Sequence, residues 1–168
     1  MPTSTSIVFL LTGTGWGKSA AAFGYVTRAW GRGWTSAVVQ FVKGAEWNRA
    51  ERRFATKLDI EWHTLSDGVT WGASEHGPAE LGRRAWNLAA DRIGDGSYDL
   101  VVLDELTVAL EHDWVHLDEV IETLLARPRR TNVIVTGQTA PEELRAIADT
   151  VTDLQRTVYR GEAGILGK

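Results

Sequence analysis

A glycine-rich segment near the amino terminus has the residue types and the order of a phosphate-binding loop. Residues Thr12–Ser19 read Thr-Gly-Thr-Gly-Trp-Gly-Lys-Ser, after an apolar run and before a helical pattern. Glycines let backbone N–H groups turn inward around phosphate oxygens, Lys18 adds a positive charge, and the Ser19 hydroxyl is a ligand for magnesium. The strict pattern has glycine where this chain has Thr12, and a glycine-rich turn without a ligand is the alternative. The segment predicts a triphosphate site at the start of a helix.

A pair of acidic residues follows a second apolar run. Leu100–Asp104 has the pattern of a buried strand that ends in an acid, and Glu105 comes next. Carboxylates at the carboxyl end of a parallel strand lie where a magnesium nucleotide binds. Ser19, Asp104 and Glu105 are therefore the candidate metal ligands. For the acidic pair taken alone, a strand end that caps the next turn is the alternative.

Short apolar runs alternate with helix-length segments along the chain. The runs that predict strands are Ile7–Leu11, Ser36–Val42, Ile60–Leu65, Leu100–Asp104, Asn132–Thr136 and approximately Val151–Leu154. The helical segments are Lys18–Trp30, Asn48–Leu58, Pro78–Ile93, Leu117–Ala126 and Pro141–Asp149. Parallel strands are apolar throughout because helices cover both faces of their sheet. We therefore predict a single α/β domain over residues 1–168, a P-loop NTPase-like (RecA-like) fold with a mainly parallel central sheet flanked by helices.

Composition excludes several other classes of protein. The 168 residues contain no cysteine, which excludes a disulfide framework, a thiolate zinc site and a cysteine nucleophile. The formal net charge is -4, which disfavours general nucleic-acid binding. The longest apolar run is far too short to span a membrane, and no basic residue precedes it as in a secretory signal. We expect a cytoplasmic protein that binds neither nucleic acid nor membrane.

The order of these motifs resembles that of the P-loop-type ATP:corrinoid adenosyltransferases. A phosphate loop with threonine in place of the first glycine is typical of that family. The other matching segments are Ala21–Gly24, Arg28–Gly33, Val39–Gly44, Gly68–Trp71, Leu103–Thr107 and Val133–Gly137. The resemblance extends from about Ile7 to Leu154, so it covers most of the chain and depends on no single motif.

The resemblance implies an activity, cofactors and partners. Family members transfer the 5′-deoxyadenosyl group of ATP to the cobalt of a reduced corrinoid such as cobalamin, and they release triphosphate. The ribose C5′, rather than the terminal phosphate, faces the acceptor, and cobalt(I) is itself the nucleophile, so no general base is required. The implied cofactors are ATP and Mg²⁺. Members are usually cytoplasmic homodimers, and a flavoprotein reductase is the candidate protein partner.

The resemblance also implies which residues form the site. Lys18, Glu105 and Trp71 are expected to act in catalysis. The residues expected to bind ATP or the corrinoid are Gly13, Thr14, Gly15, Trp16, Gly17, Lys18, Ser19, Ala20, Arg28, Gln40, Lys43, Glu51, Val69 and Trp71. Among them, Lys18 and Arg28 are expected to stabilise the polyanionic leaving group.

Several of these positions depart from the family pattern. The family has Phe where this chain has Val69, so the hydrophobic wedge formed with Trp71 under the corrin ring is smaller. In the phosphate loop, the usual Asn, Lys, Thr and Thr are replaced by Thr14, Trp16, Ser19 and Ala20. These changes leave two alternatives open: a non-catalytic module that binds ATP or a corrinoid, and a P-loop ATPase or adenosyltransferase that acts on a different acceptor.

Overall fold

A six-stranded sheet, in which every neighbouring pair of strands is parallel, is the centre of the computed structural model. The structure describes residues 6–41, 49–64, 77–158 and 160. The strands are β1 (Val8–Thr12), β2 (Ser36–Gln40), β3 (Glu61–Thr64), β4 (Leu100–Asp104), β5 (Asn132–Thr136) and β6 (Thr150–Asp153). Their order across the sheet is β3-β2-β4-β5-β1-β6. The central strands therefore have neighbours on both sides, and β3 and β6 form the two lateral edges.

Helices connect the strands and cover both faces of the sheet. They are α1 (Lys18–Gly31), α2 (Arg49–Lys57), α3 (Pro78–Gly94), α4 (Leu106–Glu111), α5 (Leu117–Ala126) and α6 (Glu142–Ile147). Pro78 occupies the first turn of α3, where its missing N–H has no partner to lose. Acidic residues in the first turns of α5 and α6 favour the positive ends of those helices.

Successive residues of the strands contribute to two separate hydrophobic cores. Phe9 and Leu11 of β1 pack into the core that includes residues of α1 and α2. Val8 and Leu10 pack into the other core, which is built around the fully buried Trp86 of α3. This alternation follows from the pleat, because side chains of neighbouring strand residues point to opposite faces. Burial on both faces explains why β1 and β4 are apolar up to their last residue.

The predicted α/β architecture with a mainly parallel sheet is confirmed. The bounds of β4, β5 and α5 are those predicted, and the other predicted elements differ by one or two residues at their ends. The sequence analysis missed α4, which starts directly after the acidic pair. Six residues are too few for a helical period to stand out. Among the described helices, none has the length and apolar character that crossing a membrane requires.

Candidate active site at the carboxyl end of the sheet

Each of the six strands ends in a residue with a polar side chain. These residues are Thr12, Gln40, Thr64, Asp104, Thr136 and Asp153. In a parallel sheet all the carboxyl ends of the strands lie on the same side, so these groups form one polar row. That side of an α/β sheet is where ligands bind.

The phosphate loop leaves β1, which lies between β5 and the edge strand β6 in this polar row. Gly13 and Gly17 have φ values of 103° and 101°, in the left-handed region that favours glycine. Gly17 is also the N-cap residue of α1, and it has no side chain to cap the helix. The first turn of α1 contains no acidic residue. The positive end of this helix is therefore not offset by a local carboxylate, which suits an anion.

Lys18 is buried within the loop that precedes it. Its Nζ donates hydrogen bonds to the carbonyl oxygens of Gly13 at 2.7 Å and Gly15 at 2.8 Å. Only 8% of the residue is exposed. These contacts hold the ammonium group on the inner side of the loop, where a phosphate would replace the carbonyl oxygens as acceptor.

Asp104 belongs to a hydrogen-bonded network that crosses four strands. Its carboxylate accepts hydrogen bonds from the Gln40 amide at 2.8 Å and from the Thr136 hydroxyl at 2.7 Å. The Gln40 carbonyl oxygen in turn accepts from Trp62 Nε1 at 3.0 Å and from the Thr64 hydroxyl at 2.9 Å. Asp104 is 2% exposed and Gln40 is 2% exposed. Because both carboxylate oxygens of Asp104 accept a hydrogen bond, the network fixes this carboxylate in position.

Glu105 has an unusual backbone conformation at the start of α4. Its φ is 61°, in the left-handed region that costs a residue with a side chain on the order of 1 kcal/mol. Its N–H donates to the Thr136 hydroxyl at 2.9 Å, which couples this turn to Asp104 through the same threonine. The turn directs the chain from β4 into α4 and leaves the acidic pair at the carboxyl end of the sheet.

A cleft beside α1 brings several predicted site residues together. Ser19, Gln40, Glu51 and Asp104 all line it. The remaining wall is apolar, with Phe23, Trp62 and the valines Val26, Val38 and Val102, together with Ala22. Phe23 contacts Trp62 edge to face, with ring centroids 5.3 Å apart. The cleft thus combines oxygen ligands with an aromatic surface.

The structure separates one predicted residue from this cleft. Arg28 is exposed on the last turn of α1, and its guanidinium lies over the Tyr25 ring at 5.5 Å. Ten residues separate it from Lys18, which is about 15 Å along a helix. The expectation that Arg28 reaches the triphosphate is therefore not supported by its position within this chain.

The remaining predicted site residues are either exposed near the phosphate loop or lie outside the described residues. Thr14, Trp16 and Ala20 are exposed on the loop and on the first turn of α1. Lys43, Val69 and Trp71 lie outside the described residues.

Sequence reasoning missed the residues that hold the acidic group. Trp62, Thr64 and Thr136 contact Gln40 or Asp104, yet none was proposed for the site. Their signal was present, because each lies at or near the carboxyl end of a predicted strand. Thr136 is the clearest case, since it joins Asp104 to the Glu105 backbone.

A charged cluster at the opposite, amino end of the sheet has strongly shifted pKa values. Burial alone would raise the pKa of Glu61, but hydrogen bonds from Tyr98, Arg92 and His63 lower it to about 2. Burial and the bond to Glu61 raise the pKa of Tyr98 to about 12. The Arg92 side chain is 2.7 Å from Glu61. This cluster lies where β3 begins, so it does not face the cleft.

The donor set at the cleft fits Mg²⁺. Ser19 provides a hydroxyl and Asp104 a carboxylate, and magnesium is usually held by one or two protein oxygens together with phosphates and water. Within the described residues, no group of three or more His, Asp or Glu forms a ready-made metal cage. The site therefore suits an ion that arrives with a nucleotide.

Comparison with known proteins gives a consistent result over nearly the whole chain. Residues 4–168 match the family model described as ATP:corrinoid adenosyltransferase BtuR/CobO/CobP. The corrinoid adenosyltransferase of Escherichia coli (strain K12) is 36% identical over 160 residues, which is 95% of this chain and 81% of the relative. The corrinoid adenosyltransferase of Pseudomonas aeruginosa is 38% identical over 163 residues, which is 95% of this chain and 79% of the relative. Corrinoid adenosyltransferase CobA of Salmonella typhimurium is 36% identical over 160 residues, which is 95% of this chain and 81% of the relative.

Proposed function

The chain belongs to the ATP:corrinoid adenosyltransferase family, and on this premise we propose how its residues transfer the 5′-deoxyadenosyl group of ATP to the cobalt(I) of a corrinoid. The observation that carries the proposal is the meeting of Lys18, Ser19 and Asp104 at the carboxyl ends of β1 and β4. The phosphate loop, the start of α1 and the end of β4 together form the surface on which these residues lie. We assign residues 1–168 to a single domain.

The reaction requires positioning more than acid–base chemistry. The electron pair of cobalt(I) forms the bond to C5′, the bond between C5′ and oxygen breaks, and triphosphate leaves with the electron pair of the broken bond. No proton moves at the reacting carbon. The protein therefore has two tasks, which are to align C5′ with the corrinoid and to stabilise the charge of the leaving group.

Lys18 and the start of α1 perform the second task. The ammonium group exchanges the carbonyl oxygens of Gly13 and Gly15 for phosphate oxygens, which are stronger acceptors because they are charged. The uncapped start of α1 adds backbone N–H donors and the positive end of the helix dipole. Both contributions strengthen as charge moves onto the triphosphate.

Ser19 and Asp104 would hold Mg²⁺, directly or through water, and Glu105 follows Asp104 directly in the chain. Bound magnesium neutralises phosphate charge. The network through Gln40 and Thr136 keeps the Asp104 carboxylate oriented while the nucleotide enters and leaves. Glu105 is held at the same end of the sheet by its bond to Thr136.

Gln40 and Glu51 flank the nucleoside side of the cleft. They line the same walls as Phe23 and Trp62, whose aromatic surface suits the flat face of a base or a corrin ring. Lys43, Val69 and Trp71 keep the corrinoid-binding roles that the family resemblance implies. A homodimer, a cytoplasmic location and a flavoprotein reductase as electron donor are proposals that depend on the same resemblance.

Product analysis tests the proposal against its alternatives. The protein is incubated without oxygen with Mg²⁺, ATP and chemically reduced cobalamin, and the products are identified by mass spectrometry. Adenosylcobalamin and triphosphate in equal amounts are expected. ADP with orthophosphate would instead identify an ATPase, and bound ATP without any product would identify a binding module. Either of those results would overturn the proposed function.

A further inference from the structure

The segment that follows β6 lies directly against the phosphate loop. The N–H of Gly15 donates to the Leu154 carbonyl oxygen at 2.7 Å, and the Leu154 N–H donates to the Thr12 carbonyl oxygen at 2.7 Å. A Cβ on Gly15 would lie only 2.7 Å from that Leu154 oxygen. The contact is therefore too close for any side chain at position 15, and the two backbones are fixed relative to each other.

A side-chain clamp strengthens the same contact. Asp153, the last residue of β6, accepts a hydrogen bond from the Thr12 hydroxyl. Arg145 of α6 pairs with Asp153 at 3.0 Å and also donates to the Thr12 hydroxyl at 3.3 Å. The bond from Arg145, followed by that from Thr12, holds the pKa of Asp153 below its usual range. Asp153 therefore stays ionised at neutral pH, and Arg145 balances its charge beside the loop.

Two residues beyond Leu154, a second arginine reaches the loop itself. The guanidinium carbon of Arg156 lies 5.8 Å from the centre of the Trp16 ring, within the range of a cation–π contact. Trp16 is 41% exposed on the loop, so its indole is a platform at the surface rather than part of the core. Because Leu154 is anchored, Arg156 is placed next to the loop and not simply along a loose tail.

The charge of the ligand makes this placement meaningful. Triphosphate is a polyanion, and the carboxylates of Asp104 and Glu105 lie at the same end of the sheet. Arginine has a planar group that can stack on an aromatic ring and still donate several hydrogen bonds to phosphate oxygens. A cation held against Trp16 complements Lys18, which the carbonyl oxygens of Gly13 and Gly15 hold within the loop.

We propose that Arg156 is a phosphate-binding residue of this enzyme, and that Trp16 positions its guanidinium against the triphosphate part of ATP. The inference rests on the proposed function, since it assigns a second cationic contact to the same nucleotide site. Trp16 acts through Arg156 and is a positioning residue. The segment Asp153–Arg156 thus forms part of the nucleotide site.

Binding of inorganic triphosphate and of ATP with Mg²⁺, measured by calorimetry without corrinoid, tests the assignment. Arg156→Gln is expected to weaken both affinities about tenfold, the loss typical of a hydrogen bond to a charged group. Arg32→Gln is the matched control, because Arg32 lies over Trp34 at 5.3 Å at the other end of α1, about 21 Å from Lys18. That control is expected to bind both ligands like the wild type.

Two further variants separate charge from packing. Arg156→Lys keeps the charge but loses the planar stacking group, so its affinity is expected to lie between those of the wild type and Arg156→Gln. Trp16→Ala is expected to weaken binding as Arg156→Gln does, and the double variant to be no weaker than either single one. In turnover, Arg156→Gln raises KM for ATP and changes kcat little, because the contact exists before the transition state.

The outcomes distinguish this inference from the proposed function. If Arg156→Gln binds triphosphate as tightly as the wild type and Arg32→Gln, Arg156 has no phosphate contact and the inference is wrong, whatever the turnover. If the wild type forms no adenosylcorrinoid but Arg156→Gln still loses triphosphate affinity, the proposed function fails and the assignment of Arg156 stands.

Discussion

The two ends of the same sheet use polar residues for different purposes. At the amino end, acids are paired with arginines, as in Glu61 with Arg92 at 2.7 Å and Asp99 with Arg130 at 2.6 Å. At the carboxyl end, Asp153 is also paired with Arg145, but hydroxyl and amide groups orient the carboxylate of Asp104 beside the cleft. The first arrangement neutralises charge and stabilises the fold. The second presents charge to a cleft where an ion and a nucleotide complete it.

This comparison predicts that substitutions at the carboxyl end change activity more than stability, and that those at the amino end do the reverse. The largest expected effect is that of Lys18→Ala. Removing a preorganised donor to the leaving group lowers kcat/KM by about 100-fold or more, while the melting temperature changes little. Steady-state assays of triphosphate release measure the effect. Lys57→Ala is the matched control, since Lys57 is exposed at the end of α2.

Asp104→Asn sharpens the comparison through the metal. The substitution removes the negative charge from the cleft, so the Mg²⁺ concentration for half-maximal activity is expected to rise about 10- to 100-fold. Asp99→Asn is the control at the amino end, where it breaks the pair with Arg130. That variant is expected to lose stability and to keep its Mg²⁺ dependence. An unchanged Mg²⁺ requirement in Asp104→Asn would contradict the metal assignment.

Glu61→Gln tests the amino end. Because the pKa of Glu61 is lowered from 4.5 to about 2 in the folded chain, its contribution is fully present above pH 4.5. It is lost as the pH falls from 4.5 toward 2, since the unfolded chain then binds the proton first. The substitution is expected to reduce the free energy of unfolding at pH 7 on the order of 2 kcal/mol. Denaturant unfolding at several pH values measures this. Below pH 4.5 the free energy of unfolding of the variant should depend less on pH than that of the wild type.

Activity provides the other half of that test. Glu61→Gln is expected to keep the wild-type kcat/KM under conditions where both proteins are folded. A large loss of activity without a loss of stability would mean that the amino end takes part in the reaction, which would contradict a purely structural role for Glu61.

The smallest expected effect is that of Trp62→Phe, which should change both stability and activity to a small extent. The change keeps the aromatic contact with Phe23 but removes the hydrogen bond from Trp62 Nε1 to Gln40 at 3.0 Å. A loss of about 1 kcal/mol in stability is expected for one such bond. A few-fold rise in KM for ATP should accompany it, because Gln40 lines the cleft. Unfolding and steady-state assays on the same sample measure the loss of stability and the rise in KM for ATP.

Much of the fold was predictable because its central strands are buried on both faces. Leu100–Leu103 and Val133–Val135 are apolar runs bounded by polar residues, so the bounds of β4 and β5 were visible in the sequence. α4 was not predictable, because it depends on a left-handed backbone at Glu105 that the sequence does not require. The spacing of apolar residues identifies long helices and strands, whereas the formation of a short helix depends on the turn that precedes it.

The site was predictable where local sequence defines it. The glycines and Lys18 belong to one continuous loop, and Asp104 ends a strand. Contacts between distant segments were not predictable, such as Leu154 against Gly15, because only the placement of β6 beside β1 brings them together. For Arg28, the resemblance predicts a contact with the triphosphate, whereas the structure shows this residue on the last turn of α1 over the Tyr25 ring, so its role stays a prediction.

A crystal structure of the protein with ATP and Mg²⁺ tests the central claim most directly. We expect phosphate density inside the loop at Lys18, magnesium beside Ser19 and Asp104, and the ribose C5′ turned toward the open mouth of the cleft. Nucleotide bound elsewhere, or with its terminal phosphate facing the cleft mouth in place of C5′, would contradict the assignment of the carboxyl end as the adenosyl-transfer site.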